Sequence, residues 1–404
     1  MLLALSAPAG AGQGDCSQPL TTGARPAASD CLYILRVAVG SQTCEPECIC
    51  APRGMGSATA TDALLCLKFA VGGDVPLDCA CTTTTTSSST TTTTTITLDL
   101  PADWEEPFDA SEIGWMMSAW GPGSGVLWAV GGGFFDGRIF RHGAGGWAEV
   151  DHGFDVPLLT WVHGTGPNDV FAGGYGGTVL HFDGQTWTQQ ATPVTDPVWG
   201  VWAVAPDDVW AVGGEVLSST PPFVMRYDGQ TWSLVDLPVL VRPGVHALFK
   251  IWASADDDLY IVGQNGIALH WNGESLTELF LGVSQDLIGI WGTSADNIVA
   301  VGGRGTAEIV RWDGETWTKK EGSSLPGLNG VWLGRPDVAH AVGVAGTSVL
   351  VDPETLAITD DPVSTDLELH GIFADARGQL IALGANFVFP EEGVVLIREL
   401  GDDE

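Results

Sequence analysis

After residue 96 one pattern recurs seven times: an aromatic residue, a short gap, an apolar run closed by glycine, a second run, and Asp-Gly-x-Thr-Trp or a variant of it. The aromatic position reads Trp120, His163, Trp202, Trp252, Trp291, Trp332 and Phe373, at steps of 43, 39, 50, 39, 41 and 41 residues. The closing glycine keeps the same register, as Gly131, Gly174, Gly213, Gly263, Gly302, Gly343 and Gly384. Runs such as Asp208-Val-Trp-Ala-Val-Gly213 are short, apolar and bounded by glycine, as strands are. A β period near 42 specifies a propeller blade, since each four-stranded unit must stack on its neighbours to bury its faces.

The turn between third and fourth strands is Asp183-Gly184, Asp228-Gly229, Asn272-Gly273 or Asp313-Gly314. Such pairs supply the positive φ of two-residue hairpins, so two-residue loops are expected here. Trp147, Trp187, Trp232 and Trp317 open the fourth strand, with Leu276 and Leu356 in the same slot. The seventh unit has a third strand, Val394–Leu400, and no fourth. Ile96–Leu100 is expected to complete it and close the ring, hiding the sheet edges.

The region resembles Asp-box and photosystem-assembly-factor-like propellers, through its "DVWAVG…DGxTW" blades. The resemblance implies the propeller fold. Sialidases share the Asp-box, but Asp183-Gly-Gln-Thr-Trp187 is one residue shorter than that box, which weakens any carry-over of glycosidase activity.

All eight cysteines, Cys16, Cys31, Cys44, Cys48, Cys50, Cys66, Cys79 and Cys81, precede the repeats. Dense, even cysteines behind an apolar, small-residue leader (residues 1–14) predict disulfides in an oxidising compartment. The C-x-C steps and the lack of histidine in the module disfavour zinc. Residues 28–40 repeat as residues 60–72, each copy running from a Ser/Thr-Asp cap to a glycine, as a short helix does. The module resembles type I dockerins and related EF-hand-like modules, which implies a calcium loop before the helix. With Asp62 at the loop's last position, the first, third and fifth positions are Ala51, Arg53 and Met55, none of which is a calcium ligand. The expectation is therefore a dockerin-like scaffold held by disulfides, with no cofactor; calcium is the open alternative. Residues 82–95 are only Thr and Ser, the composition of an exposed linker or O-glycosylated stalk.

The expected organisation is mainly β: a signal-like segment (1–14), a small disulfide-rich helical N-terminal module (15–81), a linker (82–95) and a seven-bladed β-propeller (96–404). With 16 Lys+Arg against 50 Asp+Glu, the net charge of −34 excludes nucleic acid and anionic membrane surfaces as partners. No apolar run reaches 18 residues, so no membrane span is expected.

Acidic turns recur between first and second strands, at Asp207-Asp208, Asp256–Asp258, Asp296 and Asp337, on the face that carries the Asp-Gly hairpins. They read as solvated caps, with loose calcium or a basic partner as alternatives. The opposite face carries loops of varied length, notably 217–222 and 237–246, and a ligand site is expected there at the channel mouth. Its candidate residues are Tyr175, His246, Asn265, Arg304 and Asn386. No catalytic pair, no metal site and no H-x-x-x-H or G-x-S-x-G motif is evident. The chain reads as a secreted or cell-surface, non-enzymatic binding or scaffold protein for an extracellular protein or glycan. A secreted carbohydrate-active hydrolase or lyase and an envelope assembly factor are the alternatives.

Overall fold

The computed structural model describes residues 28–38, 63, 66, 68 and 104–400, apart from 124, 321–323, 376 and 388–390. The chain divides into two units, Met1–Ile96 and Thr97–Glu404.

In the first unit a helix, Ala28–Ala38, buries Cys31 and Ile34, one turn apart on one face. Cys31 is disulfide-bonded to Cys66. Under the 32-residue offset Cys31 aligns with Ala63 and Ile34 with Cys66, and all four are buried. The duplicate copies thus bury equivalent positions, and the bridge takes one cysteine from each. The remaining cysteines, the calcium-loop positions, the leader and the Thr/Ser tract lie outside the described residues.

The second unit is the seven-bladed propeller: six four-stranded antiparallel meanders and a seventh sheet of three strands. The second strand of a blade lies between neighbouring sheets, so both its faces are buried. Asp208–Gly213 and Asn297–Gly302 are buried along their whole length. This is why these strands read as continuous apolar runs; each Val or Ile buried there contributes about 1.5–3 kcal/mol. The register glycine has a steric cause. A Cβ on Gly213 would lie 2.0 Å from the Pro197 carbonyl oxygen, where the chain enters the inner strand of the same blade.

The repeated aromatics converge on the axis. His163 stacks on Trp202 at 4.1 Å, Trp202 meets Trp252 at 6.4 Å and Trp291 at 5.5 Å, and Phe373 contacts Trp291 and Trp332. Burial pushes the His163 imidazole down to about 3, so it stays neutral and its Nδ1 accepts the Ala203 N–H at 3.1 Å. These residues sit toward the ends of the inner strands and plug the channel on the acidic side.

The Asp-Gly turns differ from expectation. Phe182 pairs with Trp187, so the loop is the four residues 183–186, and the other repeats match it. Asp183 Oδ1 accepts the N–H groups of Gln185 and Thr186 at 2.9 and 2.8 Å, an Asx turn that replaces the two-residue hairpin. Only the glycine needs positive φ. Gly229 has φ 87°, and a Cβ there would lie 2.9 Å from Asp207 Cβ. That approach also shows the hairpins and the acidic turns packing on one face, as the meander requires.

Ile96–Leu100, expected to close the ring, lies outside the described residues; among the described residues Glu105 exchanges both backbone hydrogen bonds with Ile397, at 2.8 Å each. The third strand it joins runs Glu392–Glu399. The neighbouring Arg398 is buried between Asp361, at 3.0 Å, and the Trp104 ring, which locks the closing segment down.

Candidate functional site

Each inner strand has one residue too many. Its ladder with the second strand skips a residue, three positions before the repeated aromatic. In the first four blades the skipped residues are Met117, Thr160, Trp199 and Phe249. In the last three they are Ile288, Asn329 and His370. A bulge frees a side chain from the pleat's alternation and re-aims it. Five of the seven line a cavity of about 340 Å³ at the mouth opposite the acidic face: Met117, Trp199, Phe249, Ile288 and His370. The second-to-third-strand loops add Tyr175, Val216, Arg304 and Phe387 to its wall.

Aromatic rings pave this mouth. From the exposed Phe135 the chain of contacts runs to Phe134 (5.0 Å), Tyr175 (5.1 Å), Trp199 (5.3 Å) and Phe249 (6.2 Å). The Arg304 guanidinium lies 5.6 Å above the Phe249 ring and pairs with Asp286 at 2.8 Å. Across the cavity Phe387 contacts Trp115 and His370.

Lys250 is the unexpected member. Two positions before the aromatic, the other blades have Ser118, Trp161, Gly200, Gly289, Gly330 and Gly371. Lys250 carries a long side chain at this position. It is only 9 % exposed; its Nζ lies 4.1 Å from the Trp161 ring centroid and donates to the Trp199 carbonyl at 3.0 Å. Burial lowers its pKa to about 7, and no described carboxylate pairs with it. His370 is pushed down to about 3, first by burial and then by the fields of Lys250 and Arg304. Its 3.6 Å approach to Glu368 is too long for a hydrogen bond, so the ring stays neutral. Glu368 accepts from Asn329 Nδ2 at 2.9 Å and is the one carboxylate among the described lining residues. Inside a strongly acidic protein, the cup thus gathers two basic side chains, Lys250 and Arg304, beside one carboxylate.

Of the residues expected from sequence, Tyr175 and Arg304 line this cavity. His246, Asn265 and Asn386 are not in its wall. His246 Nδ1 meets the Thr220 carbonyl at 2.9 Å, tying together the two long loops, which do fall on the mouth face. Asn265, at φ 57°, donates from Nδ2 to the Gly244 carbonyl at 2.8 Å. Asn386 ends the strand Gln379–Asn386, next to Phe387. Lys250 and the bulge ring were missed, although a lysine where four blades have glycine is visible in the aligned repeats.

On the acidic side, Asp258 accepts from Ser254 Oγ and lies 2.7 Å from His270 Nε2; Thr165, Asp169 and His181 repeat this. In a nucleophilic triad the histidine stands between acid and hydroxyl. Here the carboxylate stands in the middle, so each group pins adjacent strands. A second, open cavity of about 400 Å³ on the first blade is lined by charged residues including Asp136, Arg138 and Glu149. Among the described residues no three His, Cys, Asp or Glu side chains gather as a metal site, and no helix is long and apolar enough to cross a membrane.

No protein-family profile matches the chain, and no curated protein does. Solved structures do. The structure of U3-55K aligns with TM-score 0.60 and 11 % identity, over 74 % of this chain and all 100 % of that one. The WD40 β-propeller domain of Doa1 aligns with TM-score 0.58 and 8 % identity, over 74 % and 97 %. YCF48 bound to D1 peptide aligns with TM-score 0.55 and 15 % identity, over 74 % and 97 %. At such identities the shared property is the propeller fold.

Proposed function

We propose that this is a secreted or cell-surface, non-enzymatic binding protein whose propeller is the recognition head. The N-terminal module serves as its attachment device and the Thr/Ser tract as a stalk. The reading rests on one observation: five of the seven equivalent bulge positions set five different residues around a concave aromatic mouth, while the other face repeats one turn. A rigid scaffold with divergent side chains at one rim suits recognition. The partner class is a protein or peptide segment, since the mouth is broad, aromatic and rimmed by the exposed Phe135. That a propeller of similar fold, YCF48, is bound to a peptide agrees with this. Glycoside hydrolysis calls for two opposed carboxylates, and the wall offers Glu368, already held by Asn329.

The test is selection of a random-sequence peptide library on the full chain. Peptides should be enriched that lose at least roughly tenfold in affinity, about 1.4 kcal/mol, on Tyr175→Ala with Arg304→Ala. Enriched peptides indifferent to those changes but lost on charge reversal of Asp256–Asp258 would move the site to the acidic face.

A further inference from the structure

The bottom of the mouth is a blind cup. The aromatic plug closes the channel beyond it, and its volume of about 340 Å³ lies at the small end of the range for small-molecule sites. Its walls are rings: Trp115, Tyr175, Trp199, Phe249 and Phe387. Its floor holds the Lys250 amine, buried, with one carbonyl and one ring face as its partners. A buried ammonium without a counter-ion is costly, and the cost is relieved by an anion that brings its own charge-assisted hydrogen bonds. Arg304, ion-paired with Asp286 at 2.8 Å, adds guanidinium donors within the same cavity.

We propose that the cup binds a small organic acid: a carboxylate on an aromatic or aliphatic body. The carboxylate sits against Lys250 Nζ and toward Arg304, and the body lies among the rings. The apolar walls exclude a purely hydrophilic anion as the best ligand, because such an anion would lose its hydration and gain only one charge pair. The inference rests on reading the mouth as a recognition surface, and it names the chemistry of that surface's deepest part.

Binding should also draw a proton. Lys250 titrates at about 7 in the free protein, so an anion beside it favours the ammonium and affinity falls as pH rises above 7. The other ionisable groups around the cup are Arg304 with its partner Asp286, Glu368, His370 and Tyr175. His370 stays neutral there, and burial, then Glu215, raises the Tyr175 phenol, so neither changes charge near pH 7.

The experiment is calorimetric titration of the full chain with phenylacetate, indole-3-acetate and hexanoate, beside phenylacetamide and glucuronate, at pH 6.5 and 8.5. At least one of the three acids should bind at a single site, roughly tenfold or more tighter than phenylacetamide, as a charge-assisted contact requires. Lys250→Met keeps the stem's shape and removes the charge; it should abolish that difference while near-ultraviolet dichroism stays unchanged. Should that variant fail to fold, the heat measured on the native protein in buffers of different ionisation enthalpy reads the proton uptake directly. The proposal is overturned if none of the acids binds below about 5 mM. It is equally overturned if the amide binds as well as its acid, if glucuronate binds tightest, or if no proton is taken up. Peptide selection succeeding while the acids fail would leave the recognition head standing without its acid subsite; failure of both would remove both.

Discussion

At one end of the propeller axis the blades agree with one another; at the other they differ. The acidic end repeats one Asx turn over one acidic turn and is plugged by one aromatic position. The mouth takes its walls from bulges and loops in which methionine, tryptophan, phenylalanine, isoleucine and histidine stand at equivalent places. The contrast follows from hydrogen bonding. At the acidic end side chains satisfy the backbone, as Asp228 Oδ1 does for Gln230 and Thr231, so changing them undoes the turn. At the mouth the bulged residue owes nothing to the ladder, and its side chain is free to vary.

The largest way to break the contrast is to empty the plug. Trp252→Ala removes a ring that is 4 % exposed and should lower stability by about 3–5 kcal/mol in denaturant titration. A loss under about 1 kcal/mol would mean that the axis collapses freely and the plug does not organise the ring.

A mouth variant should behave in the opposite way. The Lys250 amine titrates at about 7 in the fold and at its ordinary 10.5 when unfolded. Between these values the unfolded chain holds the extra proton, so the native protein gains stability as pH climbs from 7 to 10.5. Lys250→Met should be more stable than the native protein at pH 6.5, by a few kcal/mol, with the gap closing toward pH 10.5. A pH-independent gap in paired thermal melts would contradict the buried, unpaired ammonium.

The smallest effect belongs to the turns. Backbone N–H groups of Thr186 and Gln185 lower the Asp183 pKa below its usual 3.8, and those of Thr231 and Gln230 do the same for Asp228. Their contribution is present above pH 3.8 and is lost as pH falls through the depressed folded value. The fourth blade already carries Asn272, whose Oδ1 accepts the same two N–H groups. Asp183→Asn with Asp228→Asn should therefore leave the melting temperature at pH 7 nearly unchanged and flatten the acid limb of the melting curve. An unchanged acid limb would place the acid sensitivity elsewhere.

The period, the closing glycines and the repeated aromatics announced the propeller because each marks something every blade needs: a buried strand, a close backbone approach, a filled axis. The loop around Gly184 was misread because Asp-Gly serves two turn chemistries, and the choice between them lies in the side-chain oxygen of Asp183. The bridge from Glu105 to Ile397 was not foreseen because a single bridging residue has no pattern of its own. The cup was half legible. Tyr175 and Arg304 follow from loop placement, whereas Trp199 and Phe249 look like further members of an apolar strand. Only the ladder, skipping them, reveals that they face the cavity.

That skipped residue has an engineering meaning. Five blades hold a bulged position whose side chain faces the cavity, whereas Thr160 and Asn329 hydrogen-bond the next blade. Five such positions, arranged around one axis and converging on one volume, amount to a set of interchangeable jaws on a fixed chuck. A library varied at residues 117, 199, 249, 288 and 370 should yield propellers that keep their melting behaviour while gripping objects of different shape.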